Sequence, residues 1–179
     1  MCPVVKRPFT KLRREVEPRW VAEYCSKFYP NDEVRYRCPL GAPPRHLVEE
    51  MGLEKALRAF RPYRPEVDAL VITKNAIILI EAKVHRYVDG IGKLLVYEAL
   101  VPDTPELAPY LDRPVKKRLL LPILPEWIVP LAKRLNVELV TWAPDWVLEY
   151  WAERDKYWTP EAVAERERRK QILKALGFY

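Results

Sequence analysis

The chain predicts an α/β fold, a mixed β-sheet flanked by helices on both faces. Its periodic segments run helix, strand, inserted helix, strand, strand, helix, strand, helix, strand, helix, an order that builds a two-sided sheet. The segments on either side of Lys74-Asn75 are apolar on both faces, as strands covered from both sides are. Apolar residues make up 49% of the 179, enough for a sizeable core. One domain is expected over 1–179, with its core at about 10–142 and 143–179 as a C-terminal appendage.

The elements follow in order. Residues 1–9 read as an extended arm and 10–28 as a helix that Pro18 could interrupt. Trp20, Val21, Tyr24, Cys25 and Phe28 form its apolar stripe, and Glu17 lies at the N-terminal end of that stripe. Glu33 to Cys38 reads as a strand, with Val34, Tyr36 and Cys38 on one face, and Pro39 ends it because proline cannot donate to a ladder. Residues 45–60 read as a helix that Gly52 could break, and 61–65 as extended. Two strands follow, joined at Lys74-Asn75, where asparagine tolerates the left-handed backbone of a tight turn. A loop containing Asp89, Gly90 and Gly92 then enters a helix ending near Leu100. Residues 102–114 are a proline-rich loop, 117–124 a strand, 126–135 a helix and 137–142 a strand. Residues 146–151 fit a short edge strand or a helical turn, and 160–176 a charged helix.

The hairpin carries the chemistry. With a two-residue loop, Leu70 faces Leu79 and Asp68 faces Glu81, and Lys83 shares their side of the sheet. Two carboxylates side by side repel, and apolar strands strip them of water. A divalent cation relieves both penalties, and paired hard oxygens suit Mg2+ or Mn2+. A neighbouring lysine could orient or deprotonate a water, or stabilise a charged phosphorus centre. A cross-strand ion pair of Lys83 with Asp68, Glu81 or Glu66 satisfies the same residues without any metal.

Other chemistries find no support in the residues. Cys2, Cys25 and Cys38 form no CxxC pair, and His46 and His85 are far apart, so zinc and iron–sulfur sites are not expected. The thiols read as reduced and mostly buried. Ser26 is the one serine, and no Walker or Rossmann glycine loop exists. A net charge of +6 permits a polyanionic partner. No apolar run is long enough for a membrane span and the N-terminus holds no signal core, so an intracellular, cytoplasmic protein is expected. One serine, one glutamine, 18 prolines and 31% charged residues suit a thermophile.

On Asp68 and Glu81-Ala82-Lys83, with the helix–meander–helix–strand order, the chain resembles the PD-(D/E)xK nuclease superfamily, the RecB-like and archaeal Holliday-junction-resolvase-like nucleases among them. Val67 stands where the family often has proline. Gly90-Ile-Gly-Lys93-Leu-Leu-Val-Tyr97 looks like the RecB-like Gln-x-x-x-Tyr helix motif, with lysine in place of glutamine. Tyr97 reads equally well as a core aromatic. The resemblance implies a restriction-endonuclease-like core and metal-dependent hydrolysis of phosphodiester bonds, in DNA ahead of RNA. It assigns Asp68, Glu81, the Ala82 carbonyl and a helix glutamate to one or two ions of Mg2+ or Mn2+. Glu17 fits that glutamate best, with Glu49 and Glu50 as rivals and Glu23 behind them. Lys83 positions or activates the attacking water.

Arg61, Arg64, Arg86, Lys93, Lys116 and Lys117 could track a phosphate backbone, with Lys93, Tyr97, Arg64 and Arg86 the leading nucleic-acid contacts. Tyr63, Tyr87, Trp142 and Trp146 could stack unpaired bases. Two alternatives remain. One is a catalytically inactive nuclease-fold subunit that binds nucleic acid. The other is a partner interface, or a homodimer, through 160–176.

Overall fold

A computed structural model describes residues 16–155 and 159–177 of the chain. The predicted arm, the start of the first helix and Cys2 lie outside the described residues. Two compact units divide after Trp142. No helix among the described residues is long and apolar enough to cross a membrane.

The first unit is built on a five-stranded sheet in the order β1-β2-β3-β4-β5. The strands are β1 (Glu33–Pro39), β2 (Glu66–Ile72), β3 (Ile77–Ala82), β4 (Val115–Leu121) and β5 (Val137–Thr141). β1, β2 and β3 form an antiparallel meander, and β4 and β5 add in parallel. Helix α1 (Val16–Phe28) precedes the meander, and α4 (Tyr87–Leu100) connects β3 to β4. This is the mixed sheet with flanking helices that the element order predicts.

The predicted hairpin register holds, with Leu70 opposite Leu79 and Ala69 opposite Ile80. The turn differs from the expectation. Neither Lys74 nor Asn75 has a positive φ. The Thr73 hydroxyl instead accepts from the Asn75 and Ala76 amides and donates to the Ala76 carbonyl. A short side chain thus supplies hydrogen bonds that replace a special backbone conformation.

Both faces of the central strands are buried. Leu70, Ile72, Ile77, Leu79, Leu119 and Leu121 cluster with Ile91, Leu94 and Tyr97 of α4. The other face carries Ala69, Val71, Ile78, Ile80 and Leu120, all buried, and α1 lies against β2 and β3 through Trp20, Val21 and Tyr24. Alternation puts Asp68 and Glu81 on the α4 side. Pro18 lies early in α1 and does not break it, because an N-terminal turn needs no amide there. Cys25 and Cys38 are buried free thiols.

Several boundaries shift. α4 begins at Tyr87, so Asp89, Gly90 and Gly92 are helical and not loop. The glycines look like breakers in sequence, but Gly90 is a contact point. A Cβ there would lie 2.6 Å from Leu119 Cδ1 and 2.9 Å from Lys83 Cγ. Gly90→Ala should therefore cost about 1–3 kcal/mol by overpacking and push the Lys83 stem aside. Urea unfolding measures the first effect and metal-dependent cleavage the second.

The 45–60 helix breaks at Gly52, with φ 80°, into α2 (Arg45–Met51) and α3 (Leu53–Phe60). Residues 61–63 form a 3-10 turn where an extended link was expected. β4 starts at Val115, two residues before the expected Lys117, and the 126–135 helix divides into a 3-10 turn and α5 (Val129–Arg134).

Among the described residues β1 is an edge strand. Arg37 has φ 48° and is skipped in the ladder between Tyr36 and Cys38. Tyr36 is exposed while Cys38 is buried, so the predicted three-residue stripe does not bury as one.

The second unit comprises α6 (Asp145–Asp155) and α7 (Pro160–Ala175). Residues 146–151 are helical, which decides against a strand. The Thr159 hydroxyl caps α7 by accepting from the Ala162 amide. No described residue of α7 is buried, in keeping with its charged sequence.

Candidate functional site

The β2 ladder approaches its N-terminal end at Asp68 and the β3 ladder its C-terminal end at Glu81, so the acids meet at one end of the sheet. Asp68 Oδ2 accepts from the Ala82 amide at 2.9 Å. Glu81 is fully buried. Its Oε1 lies 2.9 Å from Lys83 Nζ and 2.8 Å from Lys93 Nζ. Among the described residues nothing donates to Glu81 Oε2, although that atom is buried.

The Lys83 ammonium gathers three oxygens. Besides Glu81 it donates to the Ala82 carbonyl at 2.9 Å and to Glu17 Oε2 at 3.2 Å. Glu17 Oε1 accepts from the Val84 amide. The first helix thereby reaches the strand end through its second described residue. Of the rival acids, Glu23 pairs with Arg19, and Glu49 and Glu50 are exposed on α2. The opposed Glu66 meets Arg37 and Arg61 and not Lys83.

Burial and neighbouring charge together explain the titration behaviour. Burial, reinforced by Glu81, raises the Asp68 carboxyl to about 7, with the Ala82 amide and Lys83 opposing part of the rise. Burial disfavours the Lys83 ammonium, but Glu81, Glu17 and Asp68 outweigh it and hold the group charged above the usual lysine range. Lys93 follows the same balance, with Glu81 its main partner. A lysine so held is a poor base at neutral pH.

Three acids face two ammoniums here, and one buried carboxylate oxygen has no partner. Such an atom in a native structure calls for an ion or a water. The donor set of two strand acids, a helix acid and a carbonyl is hard oxygen, which fits Mg2+ or Mn2+. Among the described residues no three acid, imidazole or thiol side chains close into a ready-made cage. Lys83 stands between Glu17 and Glu81, so the ion-pair arrangement foreseen in the sequence is also present.

The other predicted contacts divide. Lys93 is at the surface end of its helix face and touches Glu81, a link that sequence spacing did not assign. Gly90, Lys93 and Tyr97 share that face at helical spacing, which was the available signal. Arg86 is exposed, with a left-handed backbone (φ 56°, ψ 50°) that turns the chain from β3 into α4.

Tyr97 is buried and donates to the Glu66 carbonyl at 2.7 Å, so it is a core aromatic rather than a surface contact. Burial raises its hydroxyl pKa further.

Arg64 is likewise not a free cation. Its guanidinium is buried in a bidentate pair with Glu106 and donates to the Pro39 carbonyl. Arg64→Ala should cost roughly 2 kcal/mol in urea unfolding, less than a fully buried pair because the Glu106 side chain is 34% exposed. Lys117 is buried against Glu98, and Lys116 pairs across from Ile78, toward the end of the sheet away from Glu81. Trp142 packs on Tyr24 and Phe28 and accepts from the Trp20 indole through its carbonyl. Tyr63 is 75% exposed.

No protein-family profile and no curated protein sequence matches the chain. A solved structure, a repair endonuclease from Pyrococcus abyssi, is similar over 70% of this chain and 46% of that one, with 17% identity and a TM-score of 0.43. The chain therefore spans less than half the length of that enzyme.

Proposed function

We propose that the chain is a metal-dependent nuclease that hydrolyses phosphodiester bonds of nucleic acid, with DNA the preferred substrate. The observation that carries this reading is the buried, unpartnered Glu81 Oε2 beside an Asp68 carboxyl forced upward by burial and by its acidic neighbour. Asp68, Glu81, the Ala82 carbonyl and Glu17 would hold one or two Mg2+ or Mn2+. When bound, the ion lowers the pKa of a water and offsets charge on the scissile phosphate.

The chain's own groups do the rest. Lys83 stays protonated, so it supplies positive charge beside the phosphate rather than removing a proton. Its bonds to Glu17, Glu81 and Ala82 hold those oxygens toward one point before any substrate arrives. Lys93 steadies Glu81 from α4. The exposed Arg86 and Arg61 supply cations near the same end of the sheet.

Calorimetry with Mn2+ tests the reading, together with cleavage of labelled DNA and RNA. Saturable heat in the parent, absent from Asp68→Asn, and cleavage that EDTA stops are the expected results. The Lys83–Glu81 pairing favours a second reading, a nuclease-fold binding subunit whose acids serve only that ion pair. Nucleic-acid binding without Mn2+ heat would select it.

A further inference from the structure

Near the acids a second feature is unused by this chemistry. A cleft of about 440 Å3 opens between the loop after β1, the start of α2, the 61–63 turn and the end of α4. Apolar Leu40, Pro65 and Leu100 line it, and Arg45 and Asp103 bring charge to it. On one wall the Phe60 and Tyr63 rings stack, with centroids 5.4 Å apart and planes at 28°. Phe60 covers one side of Tyr63, whose ring is otherwise mostly open to solvent.

The cleft is pre-built. The Leu40 amide donates to the Pro65 carbonyl, and the Gly41 amide donates to Thr104 Oγ1, which itself donates to the Leu100 carbonyl. Gly41 has φ 85°, and a Cβ there would lie 3.3 Å from Leu100 Cδ2, so glycine keeps this wall thin. Pro65 precedes Asp68 by three residues of extended chain, roughly 10 Å. A short stretch of nucleotide chain bridges that distance.

We infer that this cleft receives an unpaired nucleobase of a single-stranded segment, stacked on Tyr63, while the adjoining backbone crosses the acids. The inference rests on the nuclease reading and names its substrate class. A planar base fits an aromatic wall with apolar residues beside it, and every base has a face to stack. Asp103 can accept from a base amino group, and Arg45 can donate to a ring nitrogen, a carbonyl or a phosphate. Arg61 adds positive charge at the turn that carries Tyr63. A base locked in a duplex stack presents no open face, so this feature discriminates between the two forms.

Fluorescence anisotropy of a labelled 20-nucleotide single strand and of its blunt duplex tests the inference. The proteins are Asp68→Asn, expected to bind without cutting, and the same chain carrying Tyr63→Ala or Tyr63→Trp. The expected result is roughly tenfold weaker single-strand binding with Tyr63→Ala, duplex binding changed less than about twofold, and retention with Tyr63→Trp. Equal losses on both ligands, or no loss, overturn the subsite. Failure of the Asp68→Asn parent to bind any nucleic acid overturns the subsite together with the nuclease reading, and is recognisable because Tyr63 is intact there. Thermal melts of all variants separate lost folding from lost contact.

Discussion

Asp68→Asn will abolish Mg2+- or Mn2+-dependent cleavage and leave a folded chain that is more stable than the parent at pH 8 in EDTA. The activity loss is expected to reach about a thousandfold or more, since metal stabilisation of the developing charge is worth several kcal/mol at about 1.4 kcal/mol per tenfold. The stability gain follows from the carboxyl's environment. Folding raises its pKa from 3.8 to about 7. A carboxyl that holds its proton more tightly when folded stabilises the fold at acid pH and loses that contribution as pH rises from about 4 through about 7. Asparagine keeps the neutral shape and an oxygen for the Ala82 amide. Urea unfolding at pH 5 and pH 8 in EDTA should show the parent losing more stability between the two than the variant does. Full cleavage by Asp68→Asn would remove the catalytic assignment from this strand end.

Lys83→Met will remove activity and also about 3 kcal/mol of stability. The reason is that Glu81 is entirely buried and Lys83 is one of its two cationic partners. With Lys83 gone, Lys93 alone faces that charge, and Glu17 and the Ala82 carbonyl lose a donor as well. Glu81→Gln in the same chain should restore most of the stability and none of the cleavage. A double-mutant cycle in urea measures the coupling, which should be large because the two groups touch. Near-additive stability losses would show that the pair is not what holds this corner.

The hairpin was legible because strand alternation has a strict period of two and one tight turn sets the register for every residue above it. Asp68, Glu81 and Lys83 could therefore be brought together on paper. The turn's own chemistry was not legible, because it rests on bonds of the Thr73 hydroxyl that no alternation pattern announces. Gly90 and Gly92 suggest a loop in sequence, since glycine's low helix propensity speaks before tertiary packing does. The close approach of Leu119 and Lys83 is the competing cause. Arg64 looks like a surface cation in sequence because Glu106 is distant, and no local pattern announces such a pair. The 146–151 stretch, rich in tryptophan and other β-formers, became a helix against its propensities.

The interrupted rim at β1 has a bearing on behaviour in concentrated solution. A sheet margin with regular unpaired amides and carbonyls invites another copy to extend it. Here the left-handed Arg37 turns the main chain out of line and is itself exposed, and Pro39 removes a donor at the strand's end. A would-be templating neighbour meets a short, charged and crooked margin, which disfavours open-ended fibre growth along that side.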